Sequence, residues 1–378
     1  MISDGPLLPW LNSLRDEIPD LALFDAHTHV GSNDPDGYRC SSEELLAALE
    51  LADARAVVFP MHEPAGYPPA NDRVIDDALA SDGRLVALCR LDPEQDPLAE
   101  AERCLERGAR GIKLHPRAEL FALDHPALQD VFALAGERGL PVLSHAGRGI
   151  PALGRHVLQA CERYPRMKLI LAHAGISDLA WIWREAPDHP NLFFDTSWWS
   201  PSDLLALFSL VPPGQILMAS DAPYTSPALG ATLTLRYALQ AGLSPAEARS
   251  VGGEQTARLM DGGEPLDLGP AKGAEGISFD PLLDRVHSFL MSALGQVYQG
   301  FEPAELLELV ALACHVPDDA PQAEVCRSIL ALLLLRERYE PPPDERPPRF
   351  AKGVHLVVAA ACLARTPDVP LPRETVAA

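Results

Sequence analysis

Short apolar segments recur along the chain up to about residue 262, and each is followed by a stretch with helical periodicity. Several of these stretches end in glycine, as a helix C-terminus often does. Strands rich in Val, Ile and Leu that alternate with single helices predict a parallel sheet covered by helices. The predicted strands lie within residues 21–30, 56–60, 84–92, 111–116, 141–147, 167–175, 191–198 and 215–224.

Eight strand–helix units predict closure into a (β/α)8 barrel. The alternative, an open doubly wound sheet, requires a glycine-rich turn after its first strand, and this chain has His-Thr-His there. We therefore predict an α/β protein with an N-terminal arm at 1–20, the barrel at 21–265 and a Gly/Pro-rich linker at 266–278. Residues 279–378 have mainly helical patterns and predict a small all-helical C-terminal domain.

Polar residues occur where the predicted strands end, which is where a (β/α)8 barrel carries its chemistry. Simple alternation along the first strand places Asp25, His27 and His29 on one face, so that the two imidazoles can share a metal ion. A single His-x-His pair also occurs as buried, hydrogen-bonded groups, and is weak evidence by itself.

The ends of later strands strengthen the metal prediction. His145 ends the fifth strand, His173 the sixth and Asp221 the eighth. If these five buried polar groups were unrelated, several would have no hydrogen-bond partner, which costs folding free energy. Together with His27 and His29, these residues predict a cation site.

The segments DAHTHVG, GIKLHP, LSHAG, LAHAG, SDAPY and GGEQTARLM resemble the amidohydrolase superfamily. They are most similar to its amidohydrolase-related branch, which contains hydrolases, lactonases and decarboxylases of the aminocarboxymuconate-semialdehyde type. The resemblance covers about residues 21–262 and does not extend to the C-terminal helices.

The resemblance implies that His27, His29, His145 and Asp221 ligate a divalent metal ion, most simply Zn²⁺. Asp221 would also take a proton from the metal's water, and His173 would polarise the substrate or bind a second ion. The physics of such a site is consistent with these roles, because a divalent ion lowers the pKa of water towards about 7 and a neighbouring carboxylate can accept the proton.

Lys113 leaves the number of metal ions open. Two-metal members of the superfamily carry a carboxylated lysine near the end of the fourth strand, and GIKLHP resembles that segment. In the alternative, Lys113 is an ordinary ammonium group that pairs with a carboxylate. We favour the arrangement with one metal ion. In the arrangement with two ions, Lys113 and His173 are ligands of the second ion.

Further strand-end residues are candidates for binding substrate. Arginine suits a carboxylate, but a strand-end arginine also pairs with neighbouring acids; His115 has packing beside Pro116 as its alternative. Aromatic residues after the seventh and eighth strands would form an apolar wall, or else pack on the barrel rim. The candidates are Arg90, His115, Arg117, Arg148, Trp198 and Tyr224, with His62 and Trp199 nearby. The remaining histidines, His287, His315 and His355 of the tail among them, are interpreted as structural or exposed.

Composition limits the partners and the compartment. The net charge of −22 argues against nucleic acid and anionic membranes. Seven widely spaced cysteines indicate reduced thiols, and the chain start has no secretory pattern, so we expect a cytoplasmic protein. The apolar faces of the C-terminal helices predict packing on the barrel or in a homodimer.

The predicted function is hydrolysis of an amide, lactone or ester of a small acidic molecule. Non-oxidative decarboxylation of an unsaturated or aromatic acid uses the same site and remains the alternative. A non-catalytic scaffold is disfavoured, because all five main polar residues are present.

Overall fold

The computed structural model describes residues 5–198, 200–275, 277, 279–340 and 352–372. Eight parallel strands are paired in chain order, each with the next. They are β1 (Leu23–Val30), β2 (Ala54–Pro60), β3 (Leu85–Arg90), β4 (Gly111–Leu114), β5 (Pro141–Ser144), β6 (Lys168–Leu171), β7 (Leu192–Asp195) and β8 (Ile216–Leu217).

Backbone hydrogen bonds close this sheet into a barrel. Ala26 N donates to Met218 O, and Asp221 N donates to His27 O, both at 2.9 Å. These bonds join the first strand to the segment that contains the last one. The prediction of a (β/α)8 barrel is therefore confirmed.

Helices alternate with the strands and continue after them. The barrel helices and the N-terminal helix are α1 (Leu8–Glu17), α2 (Ser42–Leu51), α3 (Pro68–Ala80), α4 (Pro97–Arg107), α5 (Leu128–Arg138), α6 (Gly154–Arg163), α7 (Leu179–Ile182), α8 (Pro201–Leu210), α9 (Pro227–Gln240), α10 (Pro245–Arg249) and α11 (Gln255–Met260). The C-terminal helices are α12 (Pro281–Tyr298), α13 (Ala304–Ala313), α14 (Ala323–Arg338) and α15 (Val354–Arg365).

The barrel interior is a core of its own. Phe24 and Ala26 pack there with Phe59 and with inward-facing residues of the other strands, and Leu259 of α11 belongs to the same cluster. A larger core lies between the strands and the surrounding helices. The apolar interior fills the barrel, which leaves the strand ends to hold polar side chains.

The first strand departs from simple alternation. Its register against β2 shifts between Asp25 and Thr28. Phe24 and Ala26, before the shift, lie in the barrel interior with Phe59. The rings of His27 and His29 contact the same Phe59 ring and therefore point to the same side. The prediction that Asp25 shares a face with His27 and His29 was therefore wrong. The bulge inserts an extra residue and reverses the alternation beyond it.

The C-terminal helices pack against the barrel. Helices α12 and α14 contact α15, and α15 in turn contacts α8 and α9. Residues 355–364 of α15 are all buried, as expected for a helix that is apolar on every side and covered all round.

All seven cysteines are buried free thiols. No helix among the described residues is both long and apolar enough to cross a membrane.

Candidate active site

Six of the residues predicted from strand ends meet at one end of the barrel. His27 and His29 lie near the end of β1 and Lys113 in β4, and the other three follow β5, β6 and β8. They are His27, His29, Lys113, His145, His173 and Asp221. A cavity of about 510 Å³ opens above them and is lined by five of the six, Lys113 being the exception.

Three side chains form a compact group at the base of this cavity. The Nε2 atoms of His27 and His29 are 3.0 Å apart. Oδ1 of Asp221 lies 3.3 Å from the first of these atoms and 3.1 Å from the second. One potential ligand atom from each residue lies within 4.8 Å of the other two.

Asp195, at the end of β7, determines the protonation of His27. Oδ2 of Asp195 lies 2.8 Å from Nδ1 of His27, and a carboxylate can only accept this hydrogen bond. The proton of the neutral ring is therefore on Nδ1, and the lone pair on Nε2 faces His29 and Asp221. Sequence reasoning missed Asp195, although the strand-end rule itself singles it out in the segment LFFDTS.

Asp25, by contrast, does not orient an imidazole. Its Oδ1 accepts hydrogen bonds from the backbone N–H groups of His27 and Ser220. It therefore ties the start of the His-x-His segment to the segment after β8.

His145 and His173 form a second pair beside the first group. Nδ1 of His145 lies 3.0 Å from Nε2 of His173, while Nδ1 of His173 donates to the backbone oxygen of Ser197 at 2.8 Å. Gly147 permits this approach, since a Cβ atom there would lie 2.7 Å from the ring of His173. The structure thus places His145 next to His173 rather than within the compact group.

Lys113 is fully buried beside the compact group. Its Nζ lies 3.3 Å from Nε2 of His27 and 4.5 Å from the centroid of the Phe59 ring. Burial, aided by the charge of Arg90, lowers the pKa of Lys113 to about 7.

Burial also keeps the imidazoles neutral, because it disfavours the charged form. It lowers the pKa of His27, His29 and His145 well below the usual value. Neutral imidazole is the form that ligates metals. The donor set fits a divalent cation, since lone pairs of His27 and Asp221 converge with His29 at one point.

Two of these residues have strained backbones. His173 has φ +58° and Asp221 has φ +62°, in the left-handed region that non-glycine residues adopt at a cost of about 1–3 kcal/mol. Such strain is common at functional sites, where the surrounding structure fixes the side chain.

The sequence profile of the amidohydrolase family matches residues 24–261, more than half of the chain and every residue of this cluster. The chain belongs to the amidohydrolase family. This family is metal-dependent, and its fold supports an enzyme. A sequence comparison with curated proteins found no match.

Solved structures share the barrel of this family at low sequence identity. An uncharacterised TIM-barrel protein from Bordetella bronchiseptica is 15% identical with a TM-score of 0.53, covering 64% of this chain and 99% of its own. A putative amidohydrolase from Staphylococcus aureus is 16% identical with a TM-score of 0.52, covering 64% and 100%. A 2,6-dihydroxybenzoate decarboxylase in complex with 2,6-dihydroxybenzoate is 14% identical with a TM-score of 0.51, covering 64% and 98%.

Among the predicted substrate-binding residues of this family member, Arg90 and His115 already have close partners. Arg90 is buried and forms an ion pair with Glu119 at 2.7 Å, and Nδ1 of His62 lies 3.8 Å from the same carboxylate. His115 stacks on His145 with ring centroids 4.1 Å apart. Arg90, His115 and His62 line the cavity nonetheless.

The other predicted substrate-binding residues lie around the cavity, and two of them are exposed arginines. Arg117 and Arg148 are exposed, and the guanidinium of Arg148 lies 5.4 Å from the centroid of Trp198. Tyr224 donates to Asp34 at 2.7 Å. All four residues line the cavity, while Trp199 lies outside the described residues.

The C-terminal helices supply a further part of the cavity wall. Tyr298 ends α12, and Val354, His355 and Val358 belong to the start of α15. His355, interpreted from the sequence as structural or exposed, is buried and lines this cavity. The contact is between segments far apart in the chain, so no local pattern signals it.

Proposed function

We propose that this protein is a metal-dependent hydrolase that attacks an amide, lactone or ester of a small acidic molecule. The observation that carries the proposal is the convergence of His27, His29 and Asp221 at the base of the cavity. Zn²⁺ fits two imidazoles and a carboxylate.

The residues of the compact group would hold the ion, and Asp195 would orient His27 towards it. A divalent ion bound there supplies Lewis acidity and lowers the pKa of water towards about 7. Asp221 is then placed to accept a proton, because its Oδ1 lies 3.3 Å from Nε2 of His27 and 3.1 Å from Nε2 of His29, where the ion and its water would bind.

The roles of His145 and His173 depend on whether the site holds one metal ion or two. In the one-ion arrangement, His145 completes the set around His27, His29 and Asp221, and His173 hydrogen-bonds the substrate. In the two-ion arrangement, His173 and a carboxylated Lys113 would hold the second ion. We propose the one-ion arrangement; Nε2 of His173, 3.0 Å from Nδ1 of His145, and Lys113, buried beside His27, are the groups that a second ion would use. Zinc content per chain, measured on the wild type and on Lys113→Ala, distinguishes the two.

The acidic character of the substrate is inferred from two arginines at the cavity. Among the described residues, no carboxylate forms an ion pair with Arg117 or Arg148. A guanidinium group binds a carboxylate with two parallel hydrogen bonds. Since both side chains line the cavity, they are suited to a substrate carboxylate.

Decarboxylation of an aromatic acid is the second candidate, and the aromatic side chains around the cavity favour it. Tyr38, Trp198, Tyr224 and Tyr298 offer flat apolar surfaces for a ring. One structure with the same fold is a 2,6-dihydroxybenzoate decarboxylase.

A substrate panel tests the proposal. The zinc-loaded full chain is assayed with carboxylate-bearing lactones, amides and esters, and in parallel with hydroxybenzoates, while acid release and CO₂ release are both measured. Hydrolysis without CO₂ release supports the proposal, and Asp221→Asn should abolish it. CO₂ release from hydroxybenzoates with no hydrolysis would replace it with the second candidate.

A further inference from the structure

The C-terminal helices meet the cavity through two elements. Tyr298 is the last residue of α12, and Val354, His355 and Val358 lie in the first two turns of α15. The family match ends at residue 261, before either helix begins. This part of the wall is therefore an addition to the family barrel rather than a feature of it.

Buried polar contacts fix α15 on the barrel. Arg236 of α9 is buried and donates to Thr366, Val369 and Pro370, just beyond the end of α15. Gln240, one turn further along α9, donates to Asp368 at 2.8 Å. A buried guanidinium without hydrogen-bond acceptors would cost free energy. These acceptors therefore hold the end of α15 in one position on the barrel.

A second contact fixes α12 to α15. Arg365 and Asp284 form an ion pair at 2.6 Å, close to the buried side chain of His287. Both helices that contribute to the cavity wall are thus tied to each other and, through α15, to the barrel.

His355 is the polar residue of this wall that lacks a partner. The residue is 2% exposed, and its Nε2 has no hydrogen-bond partner in the described part of the chain. Its ring contacts Tyr339 edge-on at 4.9 Å. An unpaired buried nitrogen costs free energy, and a hydrogen bond from a bound molecule would recover it.

Tyr298 lies close to one of the two cavity arginines. Tyr298 and Arg148 line the same cavity, and the positive charge of Arg148 opposes the effect of burial on the pKa of Tyr298. A bound anionic group in this cavity can therefore meet both side chains. Val354 and Val358 add an apolar surface beside them.

We propose that the C-terminal helices complete the substrate site, with Tyr298, His355 and Val358 as specificity-determining residues. The substrate class is a small carboxylic acid with an apolar body: its carboxylate meets Arg148 and Tyr298, its body meets Val358, and a second polar group meets His355. This assignment rests on the acidic substrate of the proposed function.

A matched pair of histidines tests the role of His355. His287 of α12 is equally buried, at 5% exposure, and its Nε2 also lacks a partner in the described chain, but it does not line the cavity. His355→Leu and His287→Leu therefore remove the same group from similar surroundings. In the zinc-loaded full chain, we expect His355→Leu to weaken binding of the best-bound acid by roughly 10-fold. His287→Leu should stay within about 2-fold of the wild type.

A matched pair of valines tests the same wall without removing a polar group. Val358 and Val357 are both buried in α15, and only Val358 lines the cavity. Val358→Ala should shift the preference towards bulkier acids by about 10-fold, since one or two methyl groups in a pocket have effects of this size. Val357→Ala should leave the ranking of the acids unchanged.

Binding is measured calorimetrically on zinc-loaded protein with benzoate, hydroxybenzoates and aliphatic dicarboxylates, and zinc content is measured on every variant. Equal effects within either pair, or no effect of His355→Leu and Val358→Ala on any acid, overturn the assignment. No binding of any acid to the wild type overturns the substrate class. Failure of the proposed hydrolysis is seen separately, as acid binding and zinc retention without turnover.

Discussion

Nδ1 of His27 lies 2.8 Å from Oδ2 of Asp195, and both residues are buried at the centre of the strand-end cluster. This hydrogen bond holds the ring of His27 in the tautomer whose other nitrogen is free to bind a cation.

Replacing Asp195 with asparagine should therefore weaken metal binding. Loss of such an orienting carboxylate typically costs 10–100-fold in affinity, and we expect a loss of about this size in zinc titrations of Asp195→Asn. Asp25→Asn is the control, because Asp25 contacts backbone N–H groups and not the ring. Equal losses in the two variants would show that the orientation of His27 is not what matters.

Glu119 should stabilise the fold rather than bind substrate. It is the buried partner of Arg90, and removing one member of a buried ion pair leaves the other charge uncompensated. Glu119→Gln should lower the free energy of unfolding by about 3 kcal/mol. The exposed Glu94, which lies 3.2 Å from His125, gives the control Glu94→Gln, expected within about 0.5 kcal/mol of the wild type. A comparable, small effect of both variants in urea denaturation would contradict this role.

We expect Arg148 to increase the affinity of the protein for an acidic substrate. Arg148→Ala removes a charged hydrogen-bond donor at the cavity and should raise KM for an acidic substrate by roughly 10-fold or more, with little change in kcat. Arg184→Ala is matched, because the guanidinium of Arg184 also lies over a tryptophan, Trp183 at 4.3 Å, but away from the cavity lining. An unchanged KM in Arg148→Ala would remove this arginine from the substrate site.

The packing of the C-terminal helices should weaken in acid. Burial and the charge of Arg365, against that of Asp284, lower the pKa of His287 from 6.5 to about 4. Above pH 6.5 the residue is neutral in both the folded and the unfolded chain. As the pH falls from 6.5 to 4, the unfolded chain binds a proton that the folded chain does not, so stability decreases by up to about 3 kcal/mol.

Urea denaturation at pH 7, 6 and 5 measures this effect. His287→Leu should reduce the slope of unfolding free energy against pH in this range. An unchanged slope would mean that His287 keeps its usual pKa in the folded protein.

The sequence predicted the barrel and most of the strand-end cluster because both depend on local patterns. Alternating strands and helices dictate the barrel, and the strand-end rule finds His27, His145 and His173 one at a time. The facing of Asp25 was mispredicted because a bulge reverses the alternation in β1.

Contacts between distant segments could not be read from the sequence. The pairing of Arg90 with Glu119 depends on how a loop after β4 folds back. The arrival of His355 at the cavity depends on how α15 packs on α8 and α9. In each case the sequence shows the residue type, but the residue's partner depends on tertiary packing.

Metal content tests the central claim most directly. Elemental analysis of the zinc-loaded full chain should give at least one ion per chain, and His29→Ala together with Asp221→Asn should abolish tight binding while the barrel stays folded. Chelation should remove activity, and zinc should restore it. A folded wild-type chain that retains no divalent ion after loading would contradict the claim that His27, His29 and Asp221 form a metal site.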